Sequence, residues 1–172
     1  VPLACGNTVV LKGSELCPAT HGLIVEALNE AGLPPGVLNL ITNAPADAAA
    51  VVAAMVAHPR VRRVNFTGST RVGRLIARTC AEHLKPVVLE LGGKAANIVF
   101  ADAPMDQAIE GIVNGIFFNQ GHVCCAGSRL LVQEGIAAEF LHRLKRRMSS
   151  LRVGHPLDKS IDMGPLIDRT QW

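Results

Sequence analysis

Tyrosine does not occur in this chain, tryptophan occurs once and phenylalanine five times. The core of its 172 residues must therefore be built from Val, Leu, Ile and Ala, which suits helices packed on a parallel sheet. The same shortage removes the aromatic platforms on which nucleic-acid bases stack. Charge is also scarce, at 18% of residues with a net +3. Arg143, Lys145, Arg146 and Arg147 form the one basic cluster, and at helical spacing they read as a solvated face. No nucleic-acid partner is expected. No apolar run reaches membrane-spanning length and no secretory leader is visible, so no membrane partner is expected either. Five cysteines fit no disulfide framework, and the adjacent Cys124 and Cys125 cannot readily bridge each other. A reducing, cytoplasmic setting is the expectation. The first residue is Val1 rather than Met, and the last is Trp172 after a turn-rich stretch; a partial chain is expected.

What is present is alternation. Strands are expected at 8–11, 37–41, 61–66 and 87–91, with helices at about 18–31, 46–57 and 70–83 between them. Pro18 opens the first helix, with Leu23, Ala27 and Leu28 on one face, and Gly32 stops it. Short connections between alternating strands and helices predict right-handed βαβ units in an open, parallel, doubly wound α/β sheet. Gly92-Gly93-Lys94 interrupts this rhythm. A second α/β stretch follows, with strands at 96–100 and 129–132 and helices at about 105–118 and 136–150. Two glycines make a natural hinge, so two domains are expected, 1–91 and 92–172.

Four segments could carry chemistry. Lys12 and Glu15 follow the first strand, at the carboxyl end where open α/β sheets bind ligands. A carboxylate there can accept from both hydroxyls of a ribose; the alternative is a charged surface turn. Gly68-Ser69-Thr70-Arg71-Val72-Gly73 lies where a strand feeds a helix, a place that attracts phosphate, although it is neither a dinucleotide fingerprint nor a Walker loop. An ordinary Ser/Thr cap is the alternative. Glu90 closes an apolar strand, where desolvation among Val87, Val88, Leu89 and Leu91 would suit a general base; otherwise it is a glutamate leaving the sheet for solvent. Cys124 sits among small and polar residues in a loop, the setting of a reactive thiol, with Asn119 and backbone N–H groups as possible donors; the alternative is an inert, buried cysteine. His122, Cys124 and Cys125 lack a fourth ligand at zinc-like spacing, so no metal is expected.

In combination these segments resemble the NAD(P)-dependent aldehyde dehydrogenase superfamily. The resemblance rests on residues 6–15 (GNTVVLKGSE), 31–37 (AGLPPGV), 66–70 (FTGST), 90–94 (ELGGK) and 117–129 (FFNQGHVCCAGSR), in the family's order and spacing, and it covers nearly the whole chain. It implies a Rossmann-like NAD-binding part over 1–91 and the start of an α/β catalytic domain over 92–172. It implies Cys124 as the nucleophile and Glu90 as the general base. Lys12 and Glu15 would hold the adenosine ribose, and Gly68, Ser69 and Gly73 would lie along the pyrophosphate. Leu91 would be a further cofactor contact. The implied reaction is oxidation of an aldehyde to the carboxylate through a cysteine thiohemiacetal and thioester. NAD is favoured over NADP because Glu15 would repel a 2′-phosphate, an effect that Lys12 partly offsets.

Departures from the family pattern point to a branch. Gly13 stands where many members carry proline, His122 where glutamine or glutamate is usual, and Ala95-Ala96 where Ser-Pro is more common. Residues 13–21 and 43–48 are similar to the salicylaldehyde and vanillin dehydrogenase branch, while the cysteine loop is closer to the general branch. An aromatic aldehyde is the expected substrate. The family's upstream oxyanion asparagine and downstream nicotinamide-contacting region are not in these residues, so the middle third of such an enzyme is expected. Uncovered apolar faces and a sheet edge predict self-association, and a homo-oligomer is expected. Two other readings remain: a non-catalytic nucleotide-binding or interaction module, and cofactor-free ester hydrolysis at Cys124.

Overall fold

The computed structural model describes residues 2–172. The chain divides into two compact units, Val1–Glu90 and Leu91–Trp172, each with its own core.

The first unit holds strands β1 (Val9–Lys12), β2 (Leu38–Ile41), β3 (Val64–Gly68) and β4 (Val87–Leu91, whose last residue opens the second unit) and helices α1 (Pro18–Glu30), α2 (Ala48–Ala57) and α3 (Thr70–Glu82). Pro18 is at the first turn of α1, where a missing N–H costs nothing. Gly32 follows that helix at φ +94°, a conformation that favours glycine. Ser69 caps α3 by accepting from the Val72 N–H at 3.3 Å. The carbonyls at the end of α2 are met by a side chain: Lys85 Nζ donates to the carbonyls of Val56 and, at 2.7 Å, His58. A cation there also complements the helix dipole.

Val56, Ile76 and Cys80 form the buried centre of this unit, with Val64, Phe66, Val72 and Val87 against them. The centre thus sits between α2, α3 and the β3–β4 pair. Burial pushes the Cys80 thiol up, which makes it a small apolar packing residue. In α1 the buried residue is Val25, whereas Leu23 and Leu28 of the expected apolar face are exposed. His21, Glu26, Asn29 and Glu30 interrupt the apolar spacing of that helix, so pattern alone left its orientation unspecified.

The second unit holds β5 (Ala96–Val99), α4 (Met105–Phe117), β6 (Arg129–Val132) and α5 (Glu134–Met148). Val99, Ile109, Ile112, Val113, Phe140 and Leu144 form its core, and Phe140 is fully buried. The basic cluster of α5 is more than a solvated face. Arg143 pairs with Asp106 at 3.1 Å, and Arg147 meets both carboxylate oxygens of Glu110 at 2.5 and 3.1 Å, tying α5 to α4.

The class is α/β with parallel pairing, as the alternation implies: β1 pairs with β2 and β5 with β6, both parallel. Continuity differs from the expectation. Among the described residues the strands form three two-stranded sheets, β1–β2, β3–β4 and β5–β6. Each joins strands that follow one another in sequence, the pairings with the least loop to close. Coverage differs too. β3, β4, β5 and β6 alternate between more and less buried residues, so Ile98 and Leu131 are exposed while Val99 and Val132 pack on the helices.

Candidate functional site

Lys12, at the end of β1, stands opposite Ile41, at the end of β2, so the chain leaves both strands on the same side. The Gly13 N–H donates to the Ile41 carbonyl at 2.9 Å and holds the two exits together. Within this junction Lys12 Nζ lies 2.7 Å from Glu15 Oε1, and their side chains are only 18% and 22% exposed. The same ammonium donates to the Gly13 carbonyl at 2.7 Å. From the β2 exit, Asn43 Nδ2 donates to Glu15 Oε1 at 3.0 Å and to the Ala44 carbonyl at 2.7 Å. The Lys12 hydrogen bond, the Glu15 backbone N–H and Asn43 together hold the Glu15 carboxyl well below the usual range, at about 2. Glu15 is therefore a fixed anion at the carboxyl ends of two parallel strands. Asn43 is the member of this cluster that sequence reasoning missed. Its signal was available: a polar residue two positions beyond a strand whose neighbour ends in a charged turn.

Gly68 closes β3, and its lack of a side chain has a local reason. A Cβ there would stand 2.5 Å from Phe66 Cζ. Ser69 follows as the α3 cap. Gly73 is buried one turn into α3, and its N–H is already given to the Ser69 carbonyl at 2.9 Å. The Ser69 hydroxyl as a donor and the Thr70 and Arg71 N–H groups are what this segment leaves for a ligand among the described residues.

Glu90 and Leu91 end β4. Glu90 shares the exposed side of the strand with Val88, while Val87, Leu89 and Leu91 alternate with them on the less exposed side. The expected apolar enclosure of Glu90 is thus not formed by its strand neighbours, because alternation sends them to the opposite face.

The cysteine loop is built from an unusual turn. After α4, Asn119 and Gln120 take left-handed φ values of +50° and +54°, and Gly121 follows at +78°. Left-handed conformations cost a non-glycine residue on the order of 1–3 kcal/mol and cluster at functional sites. Beyond this turn Cys124 and Cys125 are both exposed. The Ala126 N–H donates to the Val123 carbonyl at 2.9 Å and closes the cysteine turn. Asn97 Nδ2, from β5, donates to the Gly127 carbonyl at 2.9 Å. Gly93 lies against the same turn: a Cβ on it would sit 3.8 Å from the Cys124 carbonyl oxygen. Among the described residues the Cys124 backbone N–H meets no protein acceptor, so it is free to donate. His122 is partly buried, and its Nε2 has no partner among the described residues. A cavity of about 350 Å³ adjoins the loop, lined by Asn97, Asn114, Phe118, Val123, Cys125 and Gly127 among others. Asn119, expected as a loop donor, is exposed and contributes its backbone carbonyl to the His122 N–H at 3.0 Å.

The geometry supports two pieces of chemistry: an accessible thiol on a held turn, and a fixed carboxylate able to accept from a diol. The profile of the aldehyde dehydrogenase family matches residues 1–172. A vanillin dehydrogenase from Pseudomonas sp. (strain HR199 / DSM 7063) is 55% identical over 168 residues, covering 98% of this chain and 35% of the relative. A salicylaldehyde dehydrogenase from Pseudomonas putida G7, solved in complex with salicylaldehyde, superposes with a TM-score of 0.88 at 49% identity, over 90% of this chain and 32% of that one. PnpE, solved from Pseudomonas sp. WBC-3 and also in complex with nicotinamide adenine dinucleotide, superposes with a TM-score of 0.90 at 44% identity, over 96% of this chain and 34% of that one. The chain spans about a third of the length of the relatives it matches.

Proposed function

The chain belongs to the aldehyde dehydrogenase family, and on that premise we propose that it supplies the nucleophile and part of the dinucleotide site of an enzyme that oxidises an aromatic aldehyde to its carboxylate with NAD. The observation that carries this reading is Cys124, an accessible thiol on a turn braced by Asn97 and flanked by Gly93. The names of the vanillin and salicylaldehyde dehydrogenase relatives support an aromatic aldehyde.

In this reading the Cys124 thiolate attacks the aldehyde carbon, forming the C–S bond of a thiohemiacetal. The free Cys124 N–H donates to the oxyanion that develops on the former carbonyl oxygen. NAD, which Lys12, Glu15 and Ser69 would hold, would supply the hydride acceptor that oxidation of the thiohemiacetal to a thioester requires. Glu90 takes a proton from the water that attacks the thioester carbon, and the thiolate leaves as the carboxylate forms. Lys12 and Glu15 hold the adenosine ribose, and Ser69 with the first turn of α3 faces the pyrophosphate beside Gly68. Gly73, buried in α3, would let that helix pack, and Leu91, the last residue of β4, would be a further cofactor contact. Glu15 as a fixed anion, with its neighbouring ammonium already engaged, favours NAD over NADP. Copies of the chain assemble as a homo-oligomer, a reading supported by the exposed Ile98, Phe100 and Leu131.

The deciding experiment is an assay of the natural full-length protein on aromatic and aliphatic aldehydes with NAD and NADP. NADH formation that is fastest on a phenolic aldehyde supports the reading; no reduction of either dinucleotide with any aldehyde overturns it.

A further inference from the structure

We infer that Asn43 is a positioning residue for the cofactor's adenosine ribose: it fixes Glu15 Oε1 from the β2 side, so that Oε2 is presented to the ribose hydroxyls. This inference rests on the NAD reading given above. Both atoms met by Asn43 Nδ2, Glu15 Oε1 at 3.0 Å and the Ala44 carbonyl oxygen at 2.7 Å, can only accept. The amide therefore has one orientation, with the NH2 group towards Glu15. Its own Oδ1 is buried without a partner among the described residues. A buried acceptor left unpaired is a cost that the fold bears here to keep that NH2 in place.

Lys12 reaches the same oxygen, at 2.7 Å. A lone ammonium on a flexible stem attracts a carboxylate without fixing its rotation. Two donors, one ending β1 and one just beyond β2, converging on one oxygen, do fix it. The strand register makes this possible, because Lys12 stands opposite Ile41 and Asn43 follows two residues later. No other residue's donor reaches Glu15 Oε2 among the described residues. That oxygen keeps its acceptor capacity for a diol. Lys12 is engaged by Glu15 Oε1 and the Gly13 carbonyl, which leaves little of its charge for a 2′-phosphate.

The test is calorimetric titration of the natural full-length protein and its Asn43→Ala variant with NAD and with NAD lacking the adenosine 2′-hydroxyl. Losing one immobilising contact should weaken NAD binding about 3- to 10-fold. The 2′-deoxy dinucleotide, which has less to gain from an oriented Glu15, should weaken less than about 2-fold by the same reasoning. Asn43→Asp, which sets one carboxylate against another, should weaken NAD binding further than Asn43→Ala. Asn43→Ser repeats the measurement if the alanine variant does not fold. Equal losses on both dinucleotides would show a merely structural role and overturn the inference, as would unchanged NAD affinity. A wild-type protein that binds neither NAD nor NADP would overturn the functional reading and this inference together.

Discussion

Asn97 and Gly127 interlock across the β5–β6 unit: the Asn97 Nδ2 donates to the Gly127 carbonyl at 2.9 Å, and a Cβ on Gly127 would stand 2.2 Å from that same nitrogen. The side chain thus occupies the space that glycine leaves empty and binds the backbone beside it. The turn carrying Cys124 and Cys125 ends at this lock.

Gly127→Ala should therefore force Asn97 out of place and destabilise the protein by about 1–3 kcal/mol, the usual cost of overpacking. Asn97→Ala alone should lose the hydrogen bond, at about 1 kcal/mol. Combined, the two should cost less than their sum, because the alanine at 97 makes room for the one at 127. Thermal unfolding of the four proteins checks this, and strictly additive losses would show that the contact is not shared.

The two adjacent cysteines should separate cleanly. In the natural full-length protein Cys124→Ala should abolish NADH formation from aldehydes, while Cys125→Ala should retain it with an altered KM, because Cys125 lines the cavity beside the loop. Steady-state assays of both variants decide the matter. Full activity in Cys124→Ala would remove the proposed nucleophile.

Glu15 makes a prediction in pH. Its carboxyl is lowered from an ordinary 4.5 to about 2, chiefly by Lys12. A depressed carboxyl contributes stability that is complete above its unfolded value and disappears as pH falls through its folded one. The stability advantage of the wild type over Glu15→Gln should be flat above pH 4.5 and shrink between 4.5 and about 2. Denaturant titrations across that window measure it; an advantage that changes between pH 6 and 8 instead would implicate another group.

Phe140, on α5, is fully buried in one core cluster with residues of α4, β5 and β6. Phe140→Ala should cost about 3–5 kcal/mol through lost burial and the cavity left behind. Phe118→Ala, at a residue 73% exposed, should change stability little. Chemical denaturation of the two variants compares them directly.

The sequence by itself determined the alternation of strands and helices, the parallel pairing and the family. Those follow from local signals: Pro18 and Ser69 opening helices, Gly32 closing one, apolar runs such as Val87-Val88-Leu89 forming strands. It also singled out Lys12, Glu15, Glu90 and Cys124 as residues of interest, since each stands where a strand or helix gives way to a loop. Tertiary structure decided what no local signal carries. Asn43 reaches Glu15 across 28 positions only because β1 and β2 lie in register. Asn97 reaches Gly127 across 30 positions for the same reason in β5 and β6. Which face of α1 is buried, which side of β4 carries Glu90, and how the α5 arginines find Asp106 and Glu110 were likewise settled by packing. Periodicity specifies that a face exists; only the neighbouring elements specify what it meets.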